Sequence, residues 1–509
     1  MINQNEREIK PKRGRPKKKE VAEINTPVET KQEVVKTLAN PETKEQIDFI
    51  KKDIKTNIIL KATAGSGKTY SAVKRVQFLL EQGVPANKII FFSYTTAAVK
   101  EFKKRLNNEE VKVTTIHAFC LGMLSRMKKF KEIVDIYKFI YWYKAKFKPQ
   151  FNEPEDVKAE YDELINQMFD TAEYISASIA AYKLQTADKI KCPLPKFFHE
   201  YKQFTKETKS RDFSDMLIEV RDLLKDNRWL NLFKGQYDYI LVDEFQDTST
   251  IQMGVLLALN AKYYTIIGDI SQSIYLYSGA NAHAVISMLK KRRECVEMSL
   301  STNFRSAKLI VENSNLYSDL QAIPHTDREG SVHKDIIIFE ELVKILKDKP
   351  EVTILARTNS IIREIEMKLM LRKIPLNYFN YLTESECEAL KKAENRPSTT
   401  KKMKRLLPVF KTADNVIRFI EENRNQPSFV TSIHKSKGRE FPVVVVVNSV
   451  SPEILEHNKM DTLDEKTKKE ISFFHDAPED DVENFEAKNI HYVAISRPKD
   501  ELYYMIMGI

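Results

Sequence analysis

The stretch Ala62-Thr63-Ala64-Gly65-Ser66-Gly67-Lys68-Thr69 decides the fold, because it joins a predicted buried strand to a predicted amphipathic helix. The strand is Asn57-Ile58-Ile59-Leu60-Lys61, and the apolar face of the helix is formed by Ala72, Val73, Val76, Leu79 and Leu80. A loop of small residues in this position lets backbone N–H groups approach phosphate oxygens, and the helix N-terminus adds its positive end. The octet therefore predicts a site for a nucleoside triphosphate.

Two residues of the octet are suited to phosphate and metal chemistry. Lys68 is expected to reach the β and γ phosphates, and the Thr69 hydroxyl is expected to ligate Mg²⁺. The strict form of the pattern begins with Gly, whereas Ala62 stands there. For the octet alone, a chance glycine turn is the alternative. The predicted nucleotide-contacting residues of the loop are Ala64, Gly65, Ser66, Gly67, Lys68, Thr69 and Tyr70.

A pair of carboxylates, Asp243-Glu244, directly follows the apolar run Tyr239-Ile240-Leu241-Val242. Asp243 fits the role of a Mg²⁺ ligand, and Glu244 fits that of the general base that orients the attacking water. Acidic pairs are common at strand ends, so the pair is informative only together with the phosphate loop. The two features together predict ATP hydrolysis with Mg²⁺.

Short apolar runs alternate with amphipathic helices along most of the chain, which is typical of an α/β fold. Strands are expected near residues 57–61, 89–92, 239–242, 264–267, 352–356, 442–448 and 502–507. Between residues 121 and about 230 the strand pattern is lost, and long aromatic-rich helices are expected instead. A helical module therefore interrupts the first α/β domain.

Length and composition narrow the class of protein further. A chain of 509 residues with 42% hydrophobic and 30% charged residues predicts two or more globular domains. Four widely spaced cysteines predict reduced thiols, with neither a disulfide framework nor a zinc site. No apolar run approaches the roughly 20 residues that span a bilayer, so we expect an intracellular protein without membrane contact. The formal charge of +10 suits a polyanionic partner but fits a solvated basic surface equally well.

The first 38 residues are polar and rich in lysine, which predicts a disordered tail. Within it, Arg13-Gly14-Arg15-Pro16 resembles an AT-hook, a short arm that lies extended in the minor groove of A·T-rich DNA. Arg13 and Arg15 would make the DNA contacts. A nuclear-localisation-like signal or a non-specific basic tail fits the same residues.

The extended acidic motif Asp243-Glu244-Phe245-Gln246-Asp247 resembles the signature of UvrD/Rep helicases of superfamily 1A. The other motifs of that family follow in the family's order, with Gln46 similar to its adenine-reading glutamine. The segments that carry them are Tyr94-Thr95-Thr96-Ala97-Ala98, Thr114–Phe119, Asp212–Leu217, Gly268–Tyr275, Asn303–Ser306, Thr431–Phe441 and Tyr492–Arg497. The resemblance covers roughly residues 38 to 509.

The resemblance implies roles for individual residues. Gln272 would sense the γ phosphate, Phe304 would stack on adenine, and Glu440 would lie at the nucleotide. Arg305 and Arg497 would be arginine fingers, so that the catalytic set is Lys68, Asp243, Glu244, Gln272, Arg305 and Arg497. The expected single-strand contacts are Tyr94, Thr95, His117, Tyr277 and His434.

The chain also departs from the family's pattern. Ala97, Ser278 and Arg439 replace a lysine, an arginine and a leucine of the respective motifs. Relatives usually carry a large second accessory domain before the motif at Thr431, whereas only about 50 residues, 381–430, are available here. A vestigial insertion is therefore expected, and with it either altered self-regulation or a reliance on a partner for duplex unwinding.

The fold implied by the resemblance consists of two RecA-like P-loop domains. Its expected parts are the tail (1–38), the first domain (39–120 and 231–298), the helical insertion (121–230) and the second domain (299–509). Facing each other across one ATP, the two domains would close and reopen on each turnover.

The implied activity is that of an ATP-dependent helicase that moves 3′→5′ on single-stranded DNA and acts at single-strand/duplex junctions. Its expected setting is the bacterial cytoplasm, as a cellular or phage protein, or the nucleus of a eukaryote, with a replication or repair protein as a partner. Three alternatives stay open: a translocase that strips proteins without separating strands, a non-catalytic DNA-binding scaffold, and RNA as the substrate.

Overall fold

The computed structural model describes residues 42–187, 191–276, 279–378, 381–382, 397–460, 471 and 482–507. Across these residues the chain forms two large parallel β-sheets, whose strands are connected largely through helices, and one short two-stranded parallel sheet. The predicted α/β fold class is confirmed. Parallel strands need crossover connections that cover the faces of a sheet, and this is why the central strands are continuous apolar runs.

The first sheet has six strands in the order β3-β2-β4-β5-β1-β6. They are β1 (Asn57–Ala62), β2 (Ile89–Ser93), β3 (Lys112–Thr115), β4 (Tyr239–Val242), β5 (Tyr263–Gly268) and β6 (Cys295–Leu300). In the register of β1 and β5, Ile59 lies opposite Ile266. Because all pairs are parallel, the carboxyl ends of β1, β4 and β5 lie at one edge of the sheet. The loops that leave this edge contain the phosphate loop, Asp243 and Asp269.

Three helices accompany the first strands: α1 (Lys44–Ile50), α2 (Lys68–Glu81) and α3 (Thr96–Leu106). The apolar face of α2 is buried with the strands in one cluster, to which Ala72, Val76 and Leu79 belong. Burial of each such side chain contributes about 1.5–3 kcal/mol, although Ala contributes less. This packing fixes the helix end that faces the phosphate loop.

In the part of the chain that the structure describes, seven helices lie between β3 and β4. They are α4 (Ile116–Arg126), α5 (Ile136–Lys146), α6 (Glu155–Asp170), α7 (Ala172–Ala187), α8 (Phe198–Glu207), α9 (Phe213–Leu223) and α10 (Asn227–Leu230). Phe139, Ile165, Ile179 and Phe204 belong to a separate core formed by α5–α8. In contrast, α4 and α9 bury Met123 and Met216 in the core of the first sheet. The module with its own core is therefore narrower than the predicted range 121–230.

Two further helices belong to the first domain. They are α11 (Thr250–Ala258), between β4 and β5, and α12 (Ala282–Lys290), between β5 and β6. A short parallel pair, β7 (Thr302–Asn303) and β8 (Ile323–Pro324), follows it and flanks α13 (Lys308–Asn315). The domain boundary expected after residue 298 falls inside β6, which pairs with β1 as far as Leu300.

The second sheet has five strands in the order β11-β10-β12-β13-β9. They are β9 (Ser331–Ile337), β10 (Val352–Ala356), β11 (Phe429–Ser432), β12 (Phe441–Val447) and β13 (Pro498–Met505). Its helices are α14 (Phe339–Asp348), α15 (Asn359–Leu371), α16 (Pro397–Phe410), α17 (Ala413–Glu422), α18 (Ile433–Ser436), α19 (Pro452–His457) and α20 (Val482–Ile495).

The two sheets belong to one compact unit, and their cores meet at the phosphate loop. Ala64 of that loop and Ile274, which follows β5, are buried in the same apolar cluster as Val444 of β12 and Ile490 of α20. The second sheet is thereby packed directly behind the loop that follows β1.

Several predictions fall on residues outside the described ranges. These are the tail with Arg13 and Arg15, Tyr277 with its neighbour Ser278, and the lysine-rich part of 381–430 that precedes α16. Among the described residues, Cys120, Cys192 and Cys295 are free thiols. No helix in the described part of the chain combines the length and the apolar character that a membrane span requires.

Candidate nucleotide and nucleic-acid sites

The phosphate loop is held open by two glycines with left-handed backbone angles. Gly65 has φ +73° and Gly67 has φ +77°, values that side chains disfavour. A Cβ on Gly65 would lie 2.8 Å from Asn303 Oδ1, so the close approach of the two segments also requires glycine. Because α2 begins after Gly67 without a side-chain cap, its first N–H groups face the loop. This geometry suits an anion.

Asn303, which follows β6, ties the second half of the chain to this loop. Its Nδ2 donates to the Ala64 carbonyl (2.9 Å), and Phe304 N donates to the Gly65 carbonyl (3.0 Å). The Asn303 Oδ1 in turn accepts from the backbone N–H of Arg305 (2.8 Å) and Ser306 (2.9 Å). These bonds set the start of the Arg305 side chain against the phosphate loop.

The expected carboxylates meet at the edge of the first sheet. Asp243 is buried, and its Oδ1 accepts from Glu244 N at 3.0 Å. Glu244 has φ 52°, a left-handed angle that costs energy in a non-glycine residue and recurs at functional sites. Gln246 donates to the Glu244 carboxylate, and its own Oε1 accepts from Asp269 N at 3.1 Å. A side chain at Gly268 would lie 2.2 Å from that Oε1, so glycine is required there.

The pKa values of Asp243 and Glu244 are shifted in opposite directions. Burial and the adjacent Glu244 raise the pKa of Asp243 to about 7, against the opposing effect of Lys68. Burial also raises the pKa of Glu244, but Lys68 and Lys437 outweigh it, so this pKa lies below its ordinary value. Burial raises the pKa of Asp269 as well. A divalent cation beside Asp243 would relieve this repulsion, so the site fits Mg²⁺, for which Thr69 would be the second ligand.

Gln272 contacts one of the two expected arginine fingers, Arg497, and the other, Arg305, lies beside Glu440. Gln272 Nε2 donates to Asp269 Oδ2 (2.7 Å), and its Oε1 accepts from Arg497 Nη2 (3.4 Å). Arg305 Nε lies 3.0 Å from Glu440 Oε2, and its Nη1 donates to the Ser496 carbonyl (3.2 Å). Burial, followed by the charge of Arg305, lowers the pKa of Arg497 to about 9, so Arg497 stays charged at neutral pH. The second half of the chain thus supplies two cations, Arg305 beside the phosphate loop and Arg497 beside Gln272.

Two of the residues expected at the nucleotide, Gln46 and Phe304, lie against the phosphate loop. Gln46 is buried, and its Nε2 donates to the Ser66 carbonyl at 3.4 Å. Phe304 is half-buried, with its ring centroid 4.7 Å from that of His325. Tyr70 is 40% exposed and donates to Glu42. Gln46 and Phe304 are therefore both attached to the phosphate loop, whereas Tyr70 points to solvent.

The expected single-strand contacts form two aromatic groups. Tyr94 is 39% exposed, and its ring stacks on that of Tyr275 with centroids 5.4 Å apart. The His434 ring lies 5.9 Å from the same Tyr275 ring. In the second group, the rings of His117 and Phe213 are 5.2 Å apart. Burial lowers the pKa of His117, and it lowers the pKa of His434 to about 4, so both rings are neutral at pH 7.

Thr95 acts on the backbone: its Oγ1 accepts from Ala98 N at 3.1 Å and caps α3.

The structure adds two aromatic residues that the sequence prediction did not include, Tyr275 and Phe213. Both lay within quoted motifs, which was the available signal. Phe213 is 53% exposed beside His117, whereas its neighbour Asp212 caps α9. Chain order alone does not reveal which side chain of a motif turns outward.

Comparison with known proteins agrees with this geometry. Residues 40–293 match the model of the UvrD/REP helicase N-terminal domain, and residues 385–507 match that of the UvrD-like helicase C-terminal domain. These domains are RecA-like P-loop folds, as the resemblance implied.

Sequence identity to individual relatives is low. A probable DNA helicase II homolog of Mycoplasma capricolum is 27% identical over 379 residues, which are 65% of this chain and 51% of that protein. The ATP-dependent DNA helicase PcrA of Bacillus subtilis is 24% identical over 279 residues, which are 51% of this chain and 37% of that protein. The chain thus spans about half or less of the length of the curated relatives it matches.

Proposed function

Because the chain belongs to the UvrD-like helicase family, we propose that it is an ATP-driven motor that moves 3′→5′ along single-stranded DNA and couples this movement to strand separation. The observation that carries the proposal is the contact between Gln272, which follows β5, and Arg497 of the second half of the chain. A cation supplied by the second half of the chain there can respond to the γ phosphate bound by the first half.

In the proposed reaction, Lys68 and the loop N–H groups bind the triphosphate, and Glu244 orients the attacking water. Mg²⁺, held by Thr69 and Asp243, would neutralise phosphate charge when bound. Arg305 and Arg497 stabilise the charge that develops on the transferred phosphoryl group. An arginine finger contributes about 10³–10⁵ in rate in other phosphoryl-transfer systems. Gln46 and Phe304 bind the adenine end, and Glu440 lies at the nucleotide site beside Arg305.

The strand itself is proposed to cross the two aromatic groups, each of which has one exposed ring, Tyr94 in the first and Phe213 in the second. Tyr94 and Tyr275 offer one platform, His117 and Phe213 a second, and stacking is independent of base identity. Thr95 and His434 flank the first platform. Tyr277 remains a proposed contact to the single strand. Arg13 and Arg15 of the tail remain proposed contacts to A·T-rich duplex DNA. A bacterial cell or its phage is the proposed setting, with junctions met in replication or repair as substrates.

The first test measures ATP turnover by the purified chain with and without single-stranded DNA, and unwinding of a forked duplex with a 3′ or a 5′ tail. We expect stimulation by the single strand and, with the protein in large excess over the duplex and under multiple turnover, unwinding from the 3′ tail alone. Lys68→Ala serves as the control, because it removes the expected phosphate contact, and both activities should be lost. Turnover that is indifferent to nucleic acid would contradict the proposed motor, and unwinding from the 5′ tail would contradict its polarity.

A further inference from the structure

Lys437 is a buried lysine to which the nucleotide chemistry above assigns no task. Its Nζ lies 2.7 and 2.6 Å from the two carboxylate oxygens of Asp247 and 2.7 Å from the Gln272 carbonyl. These contacts use the three donors of an ammonium group. The Lys437 side chain is 8% exposed and that of Asp247 is 1% exposed. This is a fully satisfied internal ion pair, unlike the solvated lysines of the surface.

The pair connects elements that belong to different sheets. Asp247 ends the short turn that follows the carboxylates of β4, and Gln272 ends the turn that follows β5. Lys437 comes from the segment after α18, which follows β11 of the second sheet. Gln272 is thereby held at both ends by the second half of the chain, since Arg497 donates to its side chain and Lys437 to its carbonyl.

The same ammonium also reaches the aromatic platform. Lys437 Nζ lies 5.2 Å from the centroid of the Tyr275 ring, within the range of a cation–π contact. Tyr275 is three residues beyond Gln272, and its ring stacks on Tyr94. One side chain therefore touches the turn after the catalytic carboxylates, the backbone of the γ-phosphate-sensing glutamine, and the ring proposed to stack on a base.

Separation of the pair would be costly. Removing one partner of a buried ion pair leaves an uncompensated charge, which is far less favourable than leaving a solvated pair unmade. The segment carrying Lys437 is thus expected to move together with the two turns that it contacts, and not to slide past them. Any displacement of Gln272 on nucleotide binding would be passed to Tyr275.

We propose that Lys437 and Asp247 form the positioning pair that couples the nucleotide state at the phosphate loop to the affinity of the Tyr94–Tyr275 platform for single-stranded DNA. This proposal rests on the proposed motor function, because it concerns how that motor links its nucleotide site to its DNA-binding platform. By thermodynamic reciprocity, the strand must then change the affinity for nucleotide by the same factor.

The test compares the Kd of a fluorescein-labelled oligo-dT under saturating non-hydrolysable ATP analogue with its Kd under saturating ADP. The variants are Lys437→Met, Asp247→Asn, which is nearly isosteric, and the double variant, which leaves no unpaired charge. Lys262→Met is the matched control, because it removes an exposed lysine–aspartate pair with Asp238 at the opposite end of β4 and β5. Thermal melting establishes that each variant is folded.

In the wild-type chain we expect the two Kd values to differ by roughly 5- to 150-fold, the usual range of such couplings. The ratio should fall towards 1 in the Lys437 and Asp247 variants and stay unchanged in Lys262→Met. A merely structural pair would weaken binding equally with both nucleotides and preserve the ratio, and this result in the folded Asp247→Asn variant would overturn the proposal. Equal wild-type Kd values would also overturn it while leaving strand-stimulated ATP turnover, and with it the proposed function, intact.

Discussion

At the scale of single residues, the proposed DNA face depends on which aromatic rings meet in space. Tyr94 follows β2 and Tyr275 follows β5, yet their rings stack at 5.4 Å. Tyr275 also has the ammonium of Lys437 over its ring. Tyr275 is therefore better placed than a lone exposed tyrosine to present a fixed surface to a base.

We expect Tyr275→Ala to weaken oligo-dT binding by roughly 5- to 150-fold, since aromatic–base stacking contributes about 1–3 kcal/mol per base. Tyr275→Phe keeps the ring and should bind within about twofold of the wild type. Fluorescence anisotropy at fixed salt measures both, and the salt must be fixed because phosphate contacts depend strongly on it. Equal Kd values for Ala and Phe would remove Tyr275 from the proposed path.

The sequence predicts those functional residues that lie close together in one segment of the chain. Lys68 and Thr69 belong to one loop, and Asp243 and Glu244 to one strand end, so a single segment contains the signal. The pairs Tyr94–Tyr275 and Asp247–Lys437 join distant segments, and nothing in chain order states which side chains meet. Asp247 and Lys437 were both inside quoted motifs, but their ion pair became visible only in three dimensions.

At the scale of elements, the seven expected strands all lie in the sheets, and the four longer strands that were not expected are the four sheet edges. These are β3 and β6 of the first sheet and β9 and β11 of the second. Central parallel strands such as β12 are buried along nearly their whole length and have continuous apolar runs. An edge strand is covered less, and β6 (CVEMSL) is mostly exposed or half-buried. Its sequence therefore lacks the signal from which the others were recognised.

The α5–α8 module is joined to α9 by a second internal lysine. Lys183 of α7 donates to Asp212 Oδ2 (2.8 Å) and Asp215 Oδ2 (2.9 Å), and Tyr201 of α8 also donates to Asp212. The Lys183 side chain is 11% exposed. Asp212 and Asp215 form the capping box that starts α9, beside Phe213. One cation thus connects α5–α8 to the second aromatic group.

We expect Lys183→Met to lower the local stability of α7 and the start of α9 by roughly 2–3 kcal/mol, because hydrogen bonds to charged groups contribute at this level and two carboxylates lose their cation. Amide hydrogen exchange would then be about 30-fold or more faster in these helices, while β1 and β4 stay protected. Lys158→Met, which removes an exposed pair with Glu155, is the control and should change exchange little. Unchanged protection of α9 in Lys183→Met would refute the anchoring role.

At the scale of the whole molecule, the two halves are joined through their polar contacts as well as their apolar cores. Asn303, Arg497 and Lys437 each bond to the first half at a different place: the phosphate loop, Gln272 and Asp247. A motor that converts closure into movement needs such contacts to change together. The internal range 381–430 has described helices only in α16 and α17, with α16 packed against α15. A vestigial second accessory insertion at 381–430 stays a prediction.

This compactness leads to a prediction for the monomer. Because only residues 381–430 are available for a second accessory insertion, we expect the chain to translocate but to separate strands poorly by itself. Streptavidin displacement from a 3′- or 5′-biotinylated oligonucleotide reports translocation, and single-turnover unwinding of a forked duplex at monomer concentrations reports separation. Displacement from the 5′ end with little unwinding is the expected pair of results, since a 3′→5′ motor runs towards the 5′ end. Robust single-turnover unwinding by the monomer would show that the two sheets and the α5–α8 module suffice, and would locate the strand-separating surface within them.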